Sequence, residues 1–210
     1  MSCVGTSSKQ NVCSTSNNIK FIMKKLFFLF SILFIFSCQP VEQLDSIVFD
    51  NQQLSKFDVS SKTIEIKEIF EKKFSDPYIG HTLEVDPSQR IISWVNDNFK
   101  SIGNENLFII SILDASLLQT EFENTQAKNF DEKVNYKYQL FYLIEFNLFD
   151  DSRNLIATTL VETSRSTTSG MYISINEKDN IINDLIYQSL EDLASESEIL
   201  LKKYMDDYIL

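Results

Sequence analysis

The sequence predicts an α+β domain: two helices on one face of a mostly antiparallel four-stranded sheet, in the order β-α-β-β-β-α. Two observations carry this. Residues 134–148 place Val134, Tyr136, Tyr138, Leu140, Tyr142, Ile144, Phe146 and Leu148 on every even position. Side chains of a strand point to opposite faces in turn, so this alternation marks a long strand with one covered face. Two other segments each carry one apolar stripe at helical spacing. A helix with a single stripe buries it against a sheet face or another helix.

The elements follow in order. Thr63-Ile64-Glu65-Ile66-Lys67 alternates and reads as a half-buried strand. Residues 75–85 contain Pro77, Gly80 and His81 and read as a loop or an irregular edge. Asp86-Pro87-Ser88-Gln89 starts the first helix, with Asp86 as cap and Pro87 in the first turn. Its stripe is Ile91, Val95 and Phe99, with Ile92 beside it, and Gly103 is expected to close it. Residues 107–113 form a continuous apolar run, suited to a central strand. The alternating strand comes next, then a turn at Asp150-Asp151-Ser152-Arg153-Asn154 and a Thr/Val-rich partner over 155–168. Asn176-Glu177-Lys178-Asp179 is expected to cap the second helix. That helix buries Ile182, Leu185, Ile186, Leu190, Leu193 and Leu200 or Leu201, and ends near Tyr204. Glu191, Asp192, Glu196 and Glu198 occupy its solvated face.

The N-terminal part reads differently. MKKLFFLFSILFIFSC, residues 23–38, has two lysines, an apolar run over 26–36, then Ser37 and Cys38. The run has 11 residues, too few for the roughly 20 that cross a membrane as a helix. The length and basic flank fit a secretory signal, and the small residue before cysteine fits a lipoprotein cleavage box. Phe36 is bulkier than the usual occupant of its position. Cys38 is the expected lipidation site, and a signal without lipidation is the alternative. Residues 1–22 are polar and aperiodic, which suggests an over-extended start ahead of Met23. The organisation is then 1–22 over-extension, 23–37 signal, 38–61 flexible tether and 62–210 folded domain.

Composition narrows the partners. The full chain carries 19 basic and 30 acidic side chains, for −11. Cleavage before Cys38 removes four lysines and no acid, giving −15. Such a surface argues against nucleic acid, whose phosphates need Lys and Arg, and against adsorption on anionic lipid. Membrane attachment then falls to acyl chains on Cys38, and stable anchoring takes more than one chain. The other two cysteines, Cys3 and Cys13, precede the signal and lack further ligands at zinc spacing.

Catalytic patterns are scarce. Four glycines are too few for a phosphate-cradling loop. The single histidine, His81, stands in a loop and reads as a packing residue. No catalytic residue, metal site or cofactor is expected. An enzyme would need His81 and two acidic or hydroxyl groups to converge. Asp114 follows an apolar strand and is costly to bury unpaired. Arg165 is the expected partner of Asp114 or Glu162, and these three form a candidate ion-pair or partner-contact cluster. Trp94 and the Tyr136/Tyr138/Tyr142 stripe read as core.

His81 with Pro87, Trp94, the strand IISILDAS over 109–116 and Thr163-Ser164-Arg165 resemble lipoproteins of alphaproteobacteria that have no assigned activity. The element order is also similar to small accessory envelope lipoproteins of the lipopolysaccharide-assembly or ABC-transport auxiliary type. The resemblance implies a non-catalytic accessory or adaptor subunit of an envelope complex, with an envelope protein as partner and the domain in the periplasm. Gln39 after Cys38, rather than Asp, favours the outer over the inner membrane. A lipid- or lipopolysaccharide-binding module is the alternative, and it requires an apolar cleft with a basic rim.

Overall fold

The computed structural model describes residues 49–210 except 126 and 129–132. The signal, Cys38, the proposed start at Met23, and Cys3 and Cys13 lie outside the described residues. The elements are β1 (Phe57–Val59), β2 (Thr63–Glu68), α1 (Pro87–Asn98), β3 (Phe99–Ser101), β4 (Leu107–Glu123), β5 (Val134–Phe149), β6 (Leu155–Gly170) and α2 (Ile175–Tyr204). The class is α+β. The main sheet has the order β2-β4-β5-β6, with β2 parallel to β4 and the other pairs antiparallel. A second sheet, β1-β3, has two short parallel strands.

β5 behaves as its alternation predicts: Tyr138, Leu140, Tyr142, Ile144, Phe146 and Leu148 are all at most 1% exposed. Register carries that face to the neighbouring strands. Phe146 stands opposite Ile110 on β4 and Thr159 on β6. Parity therefore switches on β6, where the odd positions Val161, Thr163 and Arg165 share the covered face. On β4, an extra residue between Ile112 and Asp114 makes a bulge. Beyond it the covered face passes from even to odd positions, Ala115 and Leu117.

α1 starts where its signals predict, with the Asp86 carboxylate accepting from the Gln89 N–H and Pro87 in the first turn. It does not run on to Gly103. It ends at Asn98, because Phe99 turns extended and enters β3 beside β1. Gly103 instead permits a close approach of two backbone segments, since a Cβ there would lie 2.8 Å from the backbone of Ser60 and Ser61. α2 is capped by Ser174, whose hydroxyl accepts from the Glu177 N–H, so the helix begins slightly ahead of the expected cap at Asn176. Its buried side chains are mainly the predicted ones, Ile182, Leu185, Ile186, Leu190, Leu193 and Leu201. α2 lies along β6 and β5, and α1 against β4.

The tether expected over 38–61 does not extend to 61. Leu54, Phe57 and Val59 are buried, and the Asn98 Nδ2 donates to the carbonyls of Asn51 and Leu54 at 2.8 and 2.9 Å. Burial of these side chains in an aromatic cluster is the reason. The Phe57 ring stacks on Phe99 at 4.5 Å, Trp94 meets Phe99 edge-on at 5.2 Å, and Phe108 and Phe146 complete the cluster. Such aromatic pairs each contribute about 0.5–1.5 kcal/mol beyond burial.

Candidate functional site

With both helices on one side, the sheet's other face is open among the described residues. It carries Phe141, Leu143 and Phe149 of β5, half-buried by their sheet neighbours. Ile156 and Leu160 of β6 are 40% and 51% exposed. Leu107 and Ile109 stand beside Phe149 around a shallow depression with Glu65, Lys67 and Arg153. Polar residues alternate with these: Glu145 and Asn147 on β5, Thr158, Glu162 and Ser164 on β6.

The candidate cluster divides between the two faces. Asp114 and Glu162 are both register partners of Leu143, so they sit on the open face on either side of it. Asp114 accepts a hydrogen bond from the Ser116 hydroxyl. Arg165 projects from the covered face. Its Nε and Nη2 donate to the Asp192 carboxylate at 2.7 and 3.0 Å, and its Nη1 donates to Gln188 Oε1 at 2.5 Å. This fork ties β6 to α2. The hydrogen bonds to Asp192 raise the guanidinium's pKa, against the opposing effect of burial.

His81 is exposed, in a short 3-10 turn, with its ring 5.5 Å from that of Phe74. The nearby hollow also touches Lys72, Lys73, Asp86 and Ser116. Lys72 is held there between Asp86 and Glu68, at 2.8 and 3.0 Å. Asp86 also accepts from Ser88. Burial alone would raise the Asp86 pKa, but its bonds from Lys72, Ser88 and the Gln89 N–H outweigh that and lower it. Lys73 donates to the Tyr78 hydroxyl instead. These contacts brace the entry to α1. Among the described residues there is no group of three His, Cys, Asp or Glu side chains placed to hold a metal ion. Nor is any described helix long and apolar enough to cross a membrane.

The space between sheet and helices is filled. Trp94, Tyr138, Tyr142, Phe146 and Leu190 are each at most 1% exposed, so side chains occupy this layer among the described residues. Sequence reasoning missed a polar defect in this packing. The Tyr142 hydroxyl, the Thr163 Oγ1 and the Arg90 Nε are buried without hydrogen-bond partners. Burial pushes the Tyr142 phenol well up. Burial likewise lowers the Arg90 guanidinium, against the favourable fields of Tyr142 and Glu84.

No family model matches the chain, and no curated protein matches it. Among solved structures it is similar to a minor lipoprotein from Acinetobacter baumannii. The identity is 10%, with 71% of this chain and 96% of that one covered, at a TM-score of 0.36. Rare lipoprotein B from Shewanella oneidensis overlaps 62% of this chain and 95% of its own, at 14% identity and a TM-score of 0.27. A neuraminyllactose-binding hemagglutinin homolog from Helicobacter pylori overlaps 74% and 89%, at 7% identity and a TM-score of 0.32. Likenesses this distant carry no functional argument, and the fold stands on its own geometry.

Proposed function

We propose that the chain is a non-catalytic lipoprotein of the bacterial envelope, anchored through Cys38, and that its domain serves as an accessory or adaptor subunit of an envelope complex. The observation that carries this reading is the one-sided layering. Both helices cover one sheet face, and the other presents Phe141, Leu143, Ile156 and Leu160 among short polar side chains. Apolar side chains rimmed by polar ones are the composition of a protein contact surface. The acidic balance of the chain supports a protein partner over nucleic acid or an anionic bilayer. The residues 23–38 support delivery through a secretory signal and attachment at Cys38, and Gln39 supports the outer membrane as destination.

A photo-crosslinking amino acid at position 160, on the open face, compared with one at the exposed position 184 of α2, tests the contact surface in intact cells. One discrete envelope protein captured from 160 and not from 184 is expected. Equal capture from both positions, or none from 160, rules the surface out. Replacing Cys38 with Ser tests the anchor by fractionation. The variant is expected in the soluble fraction, and its retention in the membrane would refute lipidation.

A further inference from the structure

The buried polar groups left unpaired under α1 mark a second place on the molecule, away from the open sheet face. Arg90 lies in the first turn of α1, with its Cζ 3.6 Å from the centroid of the Phe49 ring. The Phe49 ring is itself held edge-on by Tyr187 of α2 at 5.6 Å. The guanidinium is thus positioned by stacking. Among the described residues no carboxylate lies within ion-pair distance of it, and its buried Nε finds no acceptor. Behind it the Tyr142 hydroxyl and its cross-strand neighbour Thr163 are equally unsatisfied. Glu84's field reaches this half-buried cation, but no carboxylate is in direct contact with it, which leaves its donors costly to bury. A planar fork of donors suits a carboxylate or phosphate.

Arg90 also lines a cleft of about 720 Å³, counting its open mouth. The cleft runs between the loop before α1 and the first turns of α2. Its other polar groups are Thr82, Glu84, Asp179 and Asn183. One guanidinium faces two carboxylates there, so a lone oxyanion would meet repulsion as well as attraction. A molecule carrying both an oxyanion and an ammonium group satisfies all three charges. We propose that this cleft binds a small zwitterion, its oxyanion on Arg90 and its ammonium group between Glu84 and Asp179. The chemistry is shared by free amino acids, by phosphoethanolamine and by an ethanolamine phospholipid headgroup. The site is independent of the adaptor reading.

Isothermal titration of the Cys38→Ser protein tests it, with O-phosphoethanolamine, L-alanine, inorganic phosphate and ethanolamine as separate probes. At least one of the two zwitterions is expected to bind about tenfold or more tightly than phosphate or ethanolamine. Arg90→Met should weaken that binding about ten- to hundredfold, the worth of charged hydrogen bonds. Asp179→Asn alters an exposed side chain and keeps the test valid if Arg90→Met fails to fold. It should erase the preference for the zwitterion over phosphate. Vesicles of phosphatidylethanolamine, against phosphatidylcholine vesicles, separate a lipid source from a soluble one: selective binding assigns the headgroup, and none assigns a free ligand. Equal affinity for phosphate and both zwitterions, or no heat from either zwitterion up to about 10 mM, would overturn the proposal.

Discussion

Replacing Tyr142 with Phe removes one oxygen from the middle of β5 and leaves the ring in place. The hydroxyl is buried, has no partner and sits on a side chain 1% exposed. Leaving such a group unpaired costs about 1–3 kcal/mol, and replacement by an apolar group of the same shape recovers part of that. The ligand-free variant is therefore expected to be more stable by about 1 kcal/mol, or roughly 2–4 °C in Tm for a domain of this size. An alkaline limb gives a second, independent reading. In the unfolded chain the phenol titrates near pH 10 or so. In the folded protein burial holds it protonated beyond that, Arg90's field opposing and Asp86's adding. Below about pH 10 both states are protonated and stability is unaffected. Above it only the unfolded state releases the proton, so stability falls by up to about 1.4 kcal/mol per pH unit. Tyr142→Phe lacks that loss, although Tyr138, raised chiefly by burial, leaves a residual limb. Urea unfolding at neutral pH and in steps through about pH 9–11, either side of the free phenol's pKa, measures both effects. A less stable Phe variant at neutral pH, or an unchanged alkaline slope, would refute the reasoning.

Asp86→Ala removes the α1 cap and the Lys72 ion pair together, and should destabilise by about 1–2 kcal/mol in urea. Because the folded Asp86 pKa is lowered, its contribution is present above about pH 4 and lost as pH falls through the folded value. The gap between variant and parent should therefore narrow in acid. Gly103→Ala forces a Cβ to 2.8 Å from the Ser60–Ser61 backbone, and a thermal melt should show a loss of about 1–3 kcal/mol. Arg165→Met opens the fork to Asp192, but that pair is more than a third exposed. The loss should stay within about 1 kcal/mol and shrink further in high salt.

The long strands were legible because period-two alternation survives any packing detail. Every even residue of β5 from Tyr138 to Leu148 faces the core. The α1 start was legible because Asp86 and Pro87 act within one turn. β1 and β3 were not: three residues each, Phe-Asp-Val and Phe-Lys-Ser, are too short for a period, and their pairing joins distant parts of the chain. The partner of Arg165 was missed for a reason of parity. Positions 162 and 165 of the one strand differ in parity and so face opposite sides, and because the odd positions of β6 are the covered ones, Arg165 turns toward Asp192. The unpaired Arg90, Tyr142 and Thr163 left no sequence signal, since being unsatisfied depends on what three separate elements fail to supply.

Phe49, the first described residue, rests against Tyr187 and under Arg90, so the chain enters the domain beside the helices. Ten residues lie between it and Cys38, which makes eleven residue steps, and a fully extended chain of that length reaches about 36–40 Å. A domain acylated at Cys38 would thus be leashed within a shell of that depth. Partners in the same membrane would meet it at an effective concentration set by geometry, in the millimolar range for short linkers. Under the proposed adaptor role, an open face of modest intrinsic affinity would then suffice, and lengthening the leash is expected to weaken that proposed complex without altering a single contact.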